Sequence, residues 1–300
     1  MKKHKICKIL LVILAIFLCV AFYELLGICV AYKKQPEVSN TTKKETKNGS
    51  WNECSENTER AVIIEKNPEA LLQRVRLIKN AKKEIILSTF AFQSDESGKL
   101  ILGALHDAAD RGVHIRLLVD GMESWIDMEG NPYFYGLSSH ENVEIKLYNK
   151  ANPLKPWKMM GRMHDKYLIA DGKRYILGGR NTYNYFLGDF PGHKNYDRDV
   201  LVVCDEPEKE NSVNQLLEYF ETIWEQEDSG YFHDNKKLAN RKSVKNAVLE
   251  LQNGYQKYFE ENKERICDTD YTDETFETEK IALVSNPIHT GSKEPVVWYQ

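Results

Sequence analysis

The sequence predicts an α/β domain, a mixed β-sheet flanked by helices, preceded by a transmembrane helix. Three observations predict it. Short apolar, β-branched runs alternate with amphipathic helical patterns from residue 61 to residue 232, as in a sheet covered by helices. A long apolar run near the N-terminus is flanked by lysines. Asp171-Gly172 separates two strand-like runs and is a favoured two-residue hairpin turn.

The elements follow in order. Lys2, Lys3, Lys5 and Lys8 precede an apolar run from Ile9 to Tyr23. Glu24 interrupts it, Leu25 to Tyr32 continue it, and Lys33 and Lys34 close it. About 20 apolar residues suffice for a helix to cross a bilayer. A cleaved signal peptide is the competing reading. No strict Ala-x-Ala site is present, although Cys29 to Ala31 is a tolerable substitute. Ile28 before Cys29 argues against a lipoprotein anchor. The denser N-terminal lysine cluster predicts a single-pass anchor over residues 1–34 in the cell membrane, with an extracytoplasmic catalytic domain. Residues 35–60 are polar and read as a flexible linker.

A strand is expected over 61–65. Asn67-Pro68-Glu69 then starts a helix, with Asn67 as its cap and Leu71, Leu72, Val75 and Ile78 at helical spacing. Strands are expected over 84–92, 113–119, 143–148, 166–170, 173–177 and 200–204. Helices are expected over 99–111, 214–224 and 243–261. The main domain is thus 61–232, followed by a helical connector over 233–280. Residues 281–287 repeat the pattern of 62–68, an apolar strand and then Asn-Pro, so 281–300 reads as the start of a second copy.

Net charge of -4 gives no general attraction to nucleic acid, though a local basic cleft is compatible with it. Cys54, Cys204 and Cys267, the cysteines beyond the apolar segment, are odd in number and far apart. They make neither a disulfide framework nor a metal-ligand spacing.

The chemistry concentrates between His164 and Asn181. His164, Lys166 and Asp171 have the form H-x-K-x4-D, and Gly178-Gly179-Arg180-Asn181 follows one short strand later. Alternation along a strand puts His164 and Lys166 on one face. Such a face offers an imidazole as nucleophile or proton carrier beside a fixed cation, which is what a phosphodiester requires. Gly179 lets backbone approach an anion, and Asn181 can donate to a phosphoryl oxygen. Asp171 sits in the hairpin turn, where a carboxylate bonding backbone amides is the expected role. Tyr183, Tyr185 and Phe186 read either as core or as a wall for an acyl chain or headgroup. A metal-dependent phosphohydrolase built on His164-Asp165 is disfavoured, because its ligands would need helical flanks.

The stretches Met163 to Gly172 and Ile176 to Asn181 resemble the signature of the phospholipase D superfamily, with the greatest likeness to bacterial cardiolipin synthases. The resemblance extends through Ala108 to Val113, Leu118 to Gly121 and Asp197 to Val202. It implies one half of a duplicated fold and a metal-free phosphohistidine mechanism, with no cofactor. One histidine attacks phosphorus, a second protonates the leaving oxygen, and water or an alcohol then takes the phosphoryl group. Carried over, the catalytic set is His164, Lys166, Asp171, Asn181 and Asp197. His164, Lys166, Gly179 and Asn181 hold the phosphate. Asp197, with Asp199 nearby, would orient the histidine.

The sequence departs from the family pattern in having one such motif where active members assemble two, in one chain or in a homodimer. A second half, supplied by a longer chain or by a second copy, is therefore expected as partner. The expected function is a membrane-anchored phosphodiesterase or phosphatidyltransferase acting on phospholipid. The alternatives are a homodimeric endonuclease, which the acidic balance disfavours, and a catalytically incomplete membrane scaffold.

Overall fold

A computed structural model describes residues 2–33, 59–158, 161–204, 211–233, 236–279 and 281–285. The expected linker over 35–60 lies outside the described residues except for its last two, and so does the expected second copy beyond residue 285.

The first element is helix α1 (Lys2–Lys33), whose stretch Lys5–Gly27 is long and apolar enough to cross a membrane. The domain then runs β1 (Arg60–Ile64), α2 (Asn67–Asn80), β2 (Glu84–Thr89), α3 (Glu96–Asp110), β3 (His114–Asp120), α4 (Gly121–Asp127), α5 (Pro132–Ser138) and β4 (Val143–Tyr148). It continues with β5 (Lys166–Ala170), β6 (Arg174–Gly178), β7 (Asp199–Val203), α6 (Ser212–Trp224), β8 (Ser229–Tyr231), α7 (Lys242–Glu261), α8 (Lys263–Cys267) and β9 (Phe276–Glu277).

The strands form one mixed sheet, in the order β8-β4-β3-β2-β5-β6-β7-β1-β9. β2, β3 and β4 are parallel, because helices connect them, and the remaining pairs are antiparallel. The central strands are apolar on both faces because both faces are covered. Ile85, Leu87, Leu168, Leu201 and Val203 face a core built with α2, α3, α5 and α7. Ile86, Tyr167, Ile169 and Val202 face the other way, against Val213, Leu216, Phe220 and Trp224 of α6. The segment expected as a helical connector is helical, and Val244, Leu251, Tyr255 and Phe259 of α7 enter the main core.

Three local expectations are corrected. Asn67 is the first helical residue of α2, and Lys66 is the cap, without a side-chain bond. The Asn67 side chain instead accepts from Arg180 Nε at 3.1 Å and donates to the Asn195 carbonyl at 2.9 Å. Residues 281–285 form no strand; the Leu283 amide donates to Gln215 Oε1 at 2.8 Å. Helices α4 and α5 occupy a stretch where no element was expected, and each is capped by a side chain, Asp120 and Asn131 respectively.

The β5–β6 turn keeps the predicted backbone, but Ala170 pairs with Arg174, so the loop is three residues, 171–173, and not the expected two. Asp171 and Gly172 both take positive φ, 54° and 62°, as a primed turn requires. The Asp171 carboxylate accepts the backbone amides of Lys82, Lys83 and Glu84 at 2.9, 2.7 and 3.0 Å, fixing the entry to β2 beside its partner β5. Asparagine tolerates this backbone conformation, so Asp171→Asn isolates the carboxylate. It is expected to lower unfolding free energy by about 1–2 kcal/mol in a urea titration while turnover by folded protein persists. Lost turnover at unchanged stability would return Asp171 to the catalytic group.

Candidate functional site

His164 and Lys166 lie at the end of the sheet where β5 begins and β2 and β6 finish. Lys166 is the first residue of β5, paired with Thr89 of β2, and is buried. His164 lies outside the ladder, in the segment that leads into β5, so strand alternation fixes Lys166 but not His164. The two are brought together in another way. The His164 ring packs edge-on against Phe90, with centroids 4.8 Å apart, and the Lys166 ammonium stands 5.5 Å from the same ring. Lys166 Nζ also donates to the His164 carbonyl at 2.6 Å. Phe90 is thus a shared floor that sequence reasoning missed. It stood in an expected strand, and nothing in that pattern distinguishes a site aromatic from a core one.

The approach to His164 is held by a buried carboxylate. Asp120 accepts the Met163 amide and Arg162 Nε, each at 3.0 Å, while capping α4 through the Met122 amide at 2.9 Å. Asp120 belonged to the resemblance, but its partners 42 and 43 residues away were invisible to it.

The electrostatics suit phosphoryl chemistry. Loss of hydration against Phe90, helped by the neighbouring Lys166 charge, lowers the His164 pKa to about 4. At neutral pH the ring is therefore uncharged. Burial lowers Lys166 to about 8, opposed by the charges of Asp165 and Asp197. It is still mostly protonated at neutral pH, and a bound phosphate would raise it further.

Asn181 is buried, and its Oδ1 accepts the Ala91 amide at 3.2 Å. The aromatic cluster after it is core packing: Phe186 is buried in the core, and Tyr183 and Tyr185 pack against it. Asp197 lies against Gly179, where any Cβ would overlap its carboxylate, so the glycine is required for the close approach. Asp197 is therefore placed beside Gly179, within electrostatic reach of Lys166. Asp199 is elsewhere. It is buried under the sheet end, accepting from Arg74 at 2.8 Å and ion-paired with Arg180 at 3.2 Å. Asp171 lies at the far end of β5, where its carboxylate accepts three backbone amides.

Asp165, between the two motif residues, points to the α6 side and accepts from the Tyr219 hydroxyl at 2.8 Å. A cavity of about 300 Å³ opens here, lined by His164, Lys166, Gly178, Tyr219 and the tail residues Leu283 and Ser285. No group of acidic, histidine or cysteine side chains among the described residues is arranged to hold a metal.

Residues 74–224, about half of the chain, match the family described as cardiolipin synthase, phospholipase D-like domain. The chain is 30% identical over 212 residues to an uncharacterized protein of Helicobacter pylori, covering 66% of this chain and 39% of that protein. Cardiolipin synthase C of Escherichia coli is 29% identical over 171 residues, 52% of this chain and 34% of the enzyme. Among solved structures, phosphatidylserine synthase of Haemophilus influenzae superposes with a TM-score of 0.48 at 17% identity, over 74% of this chain and 48% of that one. NucT of Helicobacter pylori superposes with a TM-score of 0.46 at 17% identity, over 58% of this chain and 99% of that one. The chain thus spans well under half the length of the curated relatives it matches.

Proposed function

Because the chain belongs to the cardiolipin synthase, phospholipase D-like family, we propose that it carries one half of the active site of a membrane-anchored phosphodiesterase or phosphatidyltransferase acting on phospholipid. The observation that carries this reading is the uncharged His164 ring set over Phe90 beside the buried Lys166 cation.

The chemistry follows from those groups. A ring nitrogen of His164 attacks phosphorus, forming a P–N bond. The P–O bond to the leaving group breaks, with its electron pair on oxygen. A histidine of the second half protonates that oxygen. Water or an alcohol then attacks phosphorus, the P–N bond breaks, and the second histidine accepts the proton. Lys166 and the Asn181 amide hold the nonbridging oxygens, where charge grows in the transition state. Gly179 leaves room for the Asp197 carboxylate, which in this scheme orients His164. The roles of the two histidines are interchangeable in this scheme. The second half comes from beyond residue 300 or from a second copy of the chain.

Helix α1 supports the substrate class, since an anchor keeps the domain at a lipid surface. The test uses the full-length protein in phosphatidylglycerol vesicles. The expected products are phosphatidate with glycerol, or a diphosphatidyl lipid with glycerol, at rates unchanged by EDTA. Cleavage of single-stranded DNA without lipid turnover would overturn the proposal in favour of an endonuclease. Inertness toward both substrates would favour the scaffold reading.

A further inference from the structure

Outside α1, three of the exposed large apolar side chains gather at one end of the domain. Trp125 and Ile126, in the last turn of α4, are each 65% exposed, and Leu154 in the β4–β5 connection is 78% exposed. Helix α1 docks at the same end. The Tyr23 hydroxyl donates to the Leu154 carbonyl at 2.9 Å, and Gly27 lies directly against Pro156. Between helix and domain lies a cavity of about 470 Å³, lined by Glu24, Met122, Trp125, Lys150 and Pro153.

We infer that this face is seated in the boundary between headgroups and acyl chains of the bilayer that α1 crosses. The inference rests on α1 being a membrane anchor, as proposed above. The stretch long and apolar enough to cross a membrane is Lys5–Gly27, with apolar side chains continuing to Tyr32, and Tyr23 is four residues inside the end of that stretch. At 1.5 Å per residue, Leu154 touches α1 about 6 Å below the end of the span. Segments that lie in the membrane interface are buried to about that depth, 5–10 Å. Tryptophan is the residue type that gathers there, with its ring among acyl chains and its N–H toward headgroups. Lys155, next to Leu154, is exposed and can reach up to lipid phosphates along its aliphatic stem. The seated helix is also tied to the reactive segment, because Asp120 both caps α4 and holds Arg162 and Met163 ahead of His164.

The test is bromolipid quenching of the full chain, reconstituted in phosphatidylglycerol–phosphatidylcholine vesicles with brominated acyl chains. Trp224 is buried in the α6 core and is not expected to contribute. Trp125→Phe is expected to reduce the quenched fluorescence to about half, because the ring at the interface carries much of it. Leu154→Trp is expected to increase it. An alkaline carbonate wash of the same vesicles reports α1 separately. Protein that resists the wash, with quenching unchanged in Trp125→Phe and not raised in Leu154→Trp, would overturn the seated face and leave the anchor standing. Protein released by the wash would overturn the anchor reading, and this inference with it.

Discussion

His164→Ala in the full-length protein is expected to reduce phosphodiester turnover by about ten-thousand-fold or more, because a group that makes and breaks a covalent bond has no substitute in the site. The loss should fall on kcat. Substrate would still meet Lys166 and Asn181, so binding of the diester should change little. The same structure sets the pH dependence. The His164 ring, held near a pKa of about 4, stays uncharged far below the ordinary histidine range. The acid limb that belongs to it should therefore lie below pH 6.5. Lys166, held near about 8, loses its charge as pH rises through that value, so diester binding should weaken on the alkaline side. A bound phosphate anion favours the charged form of both groups and moves both limbs upward in the complex. The assay is a pH series of kcat and kcat/KM on a radiolabelled diester, with acid quench to trap label on protein. Wild-type turnover by His164→Ala would remove every catalytic version of the proposal. Turnover lost with the label still trapped on the variant would place the nucleophile in the other half.

How much of this was legible depended on distance along the chain. The hairpin was readable because its turn residues and its motif lie within 18 consecutive residues; Asp171 and Gly172 took the positive φ that their residue types favour, but the loop is one residue longer than expected and His164 lies outside the ladder. The long helices were readable from their period. The two-residue β9, the three-residue β8 and the short helices α4 and α5 were not, because segments of one or two turns carry too few periods to stand out. Asn67 was misjudged for a different reason. Its local pattern, Asn-Pro-Glu, is that of a helix cap, but a buried guanidinium 113 residues away needed an acceptor, and tertiary demand outweighed local preference. Phe90 and Asp199 belong to the same class. Each acts through partners that only the folded sheet brings near, so no spacing in the sequence reports them.

Asp199 carries the largest stability effect expected of any single substitution outside the site. Its side chain is fully buried and lies between Arg74, 4% exposed, and Arg180, 0% exposed. Arg180 belongs to the Gly-Gly-Arg-Asn stretch, yet its guanidinium turns inward, to Asn67 Oδ1 and the carbonyls of Ile64 and Glu65 at 3.1, 3.1 and 2.7 Å. It is therefore a strut beneath Asn181 and not a phosphate ligand. Removing the carboxylate leaves two buried cations facing only neutral acceptors, and breaking a buried pair in this way costs about 3–5 kcal/mol. That is a large share of the 5–15 kcal/mol by which domains are ordinarily stable. Asp199→Ala should therefore shift the urea midpoint strongly and lower expression, while the fraction that folds keeps its activity per molecule. Asp199→Asn keeps the shape and one acceptor but not the charge, and should recover only part of the loss. If Asp199→Ala unfolds within about 1 kcal/mol of wild type, the guanidiniums have found water, and the cluster is not the buried charge pair that its geometry indicates.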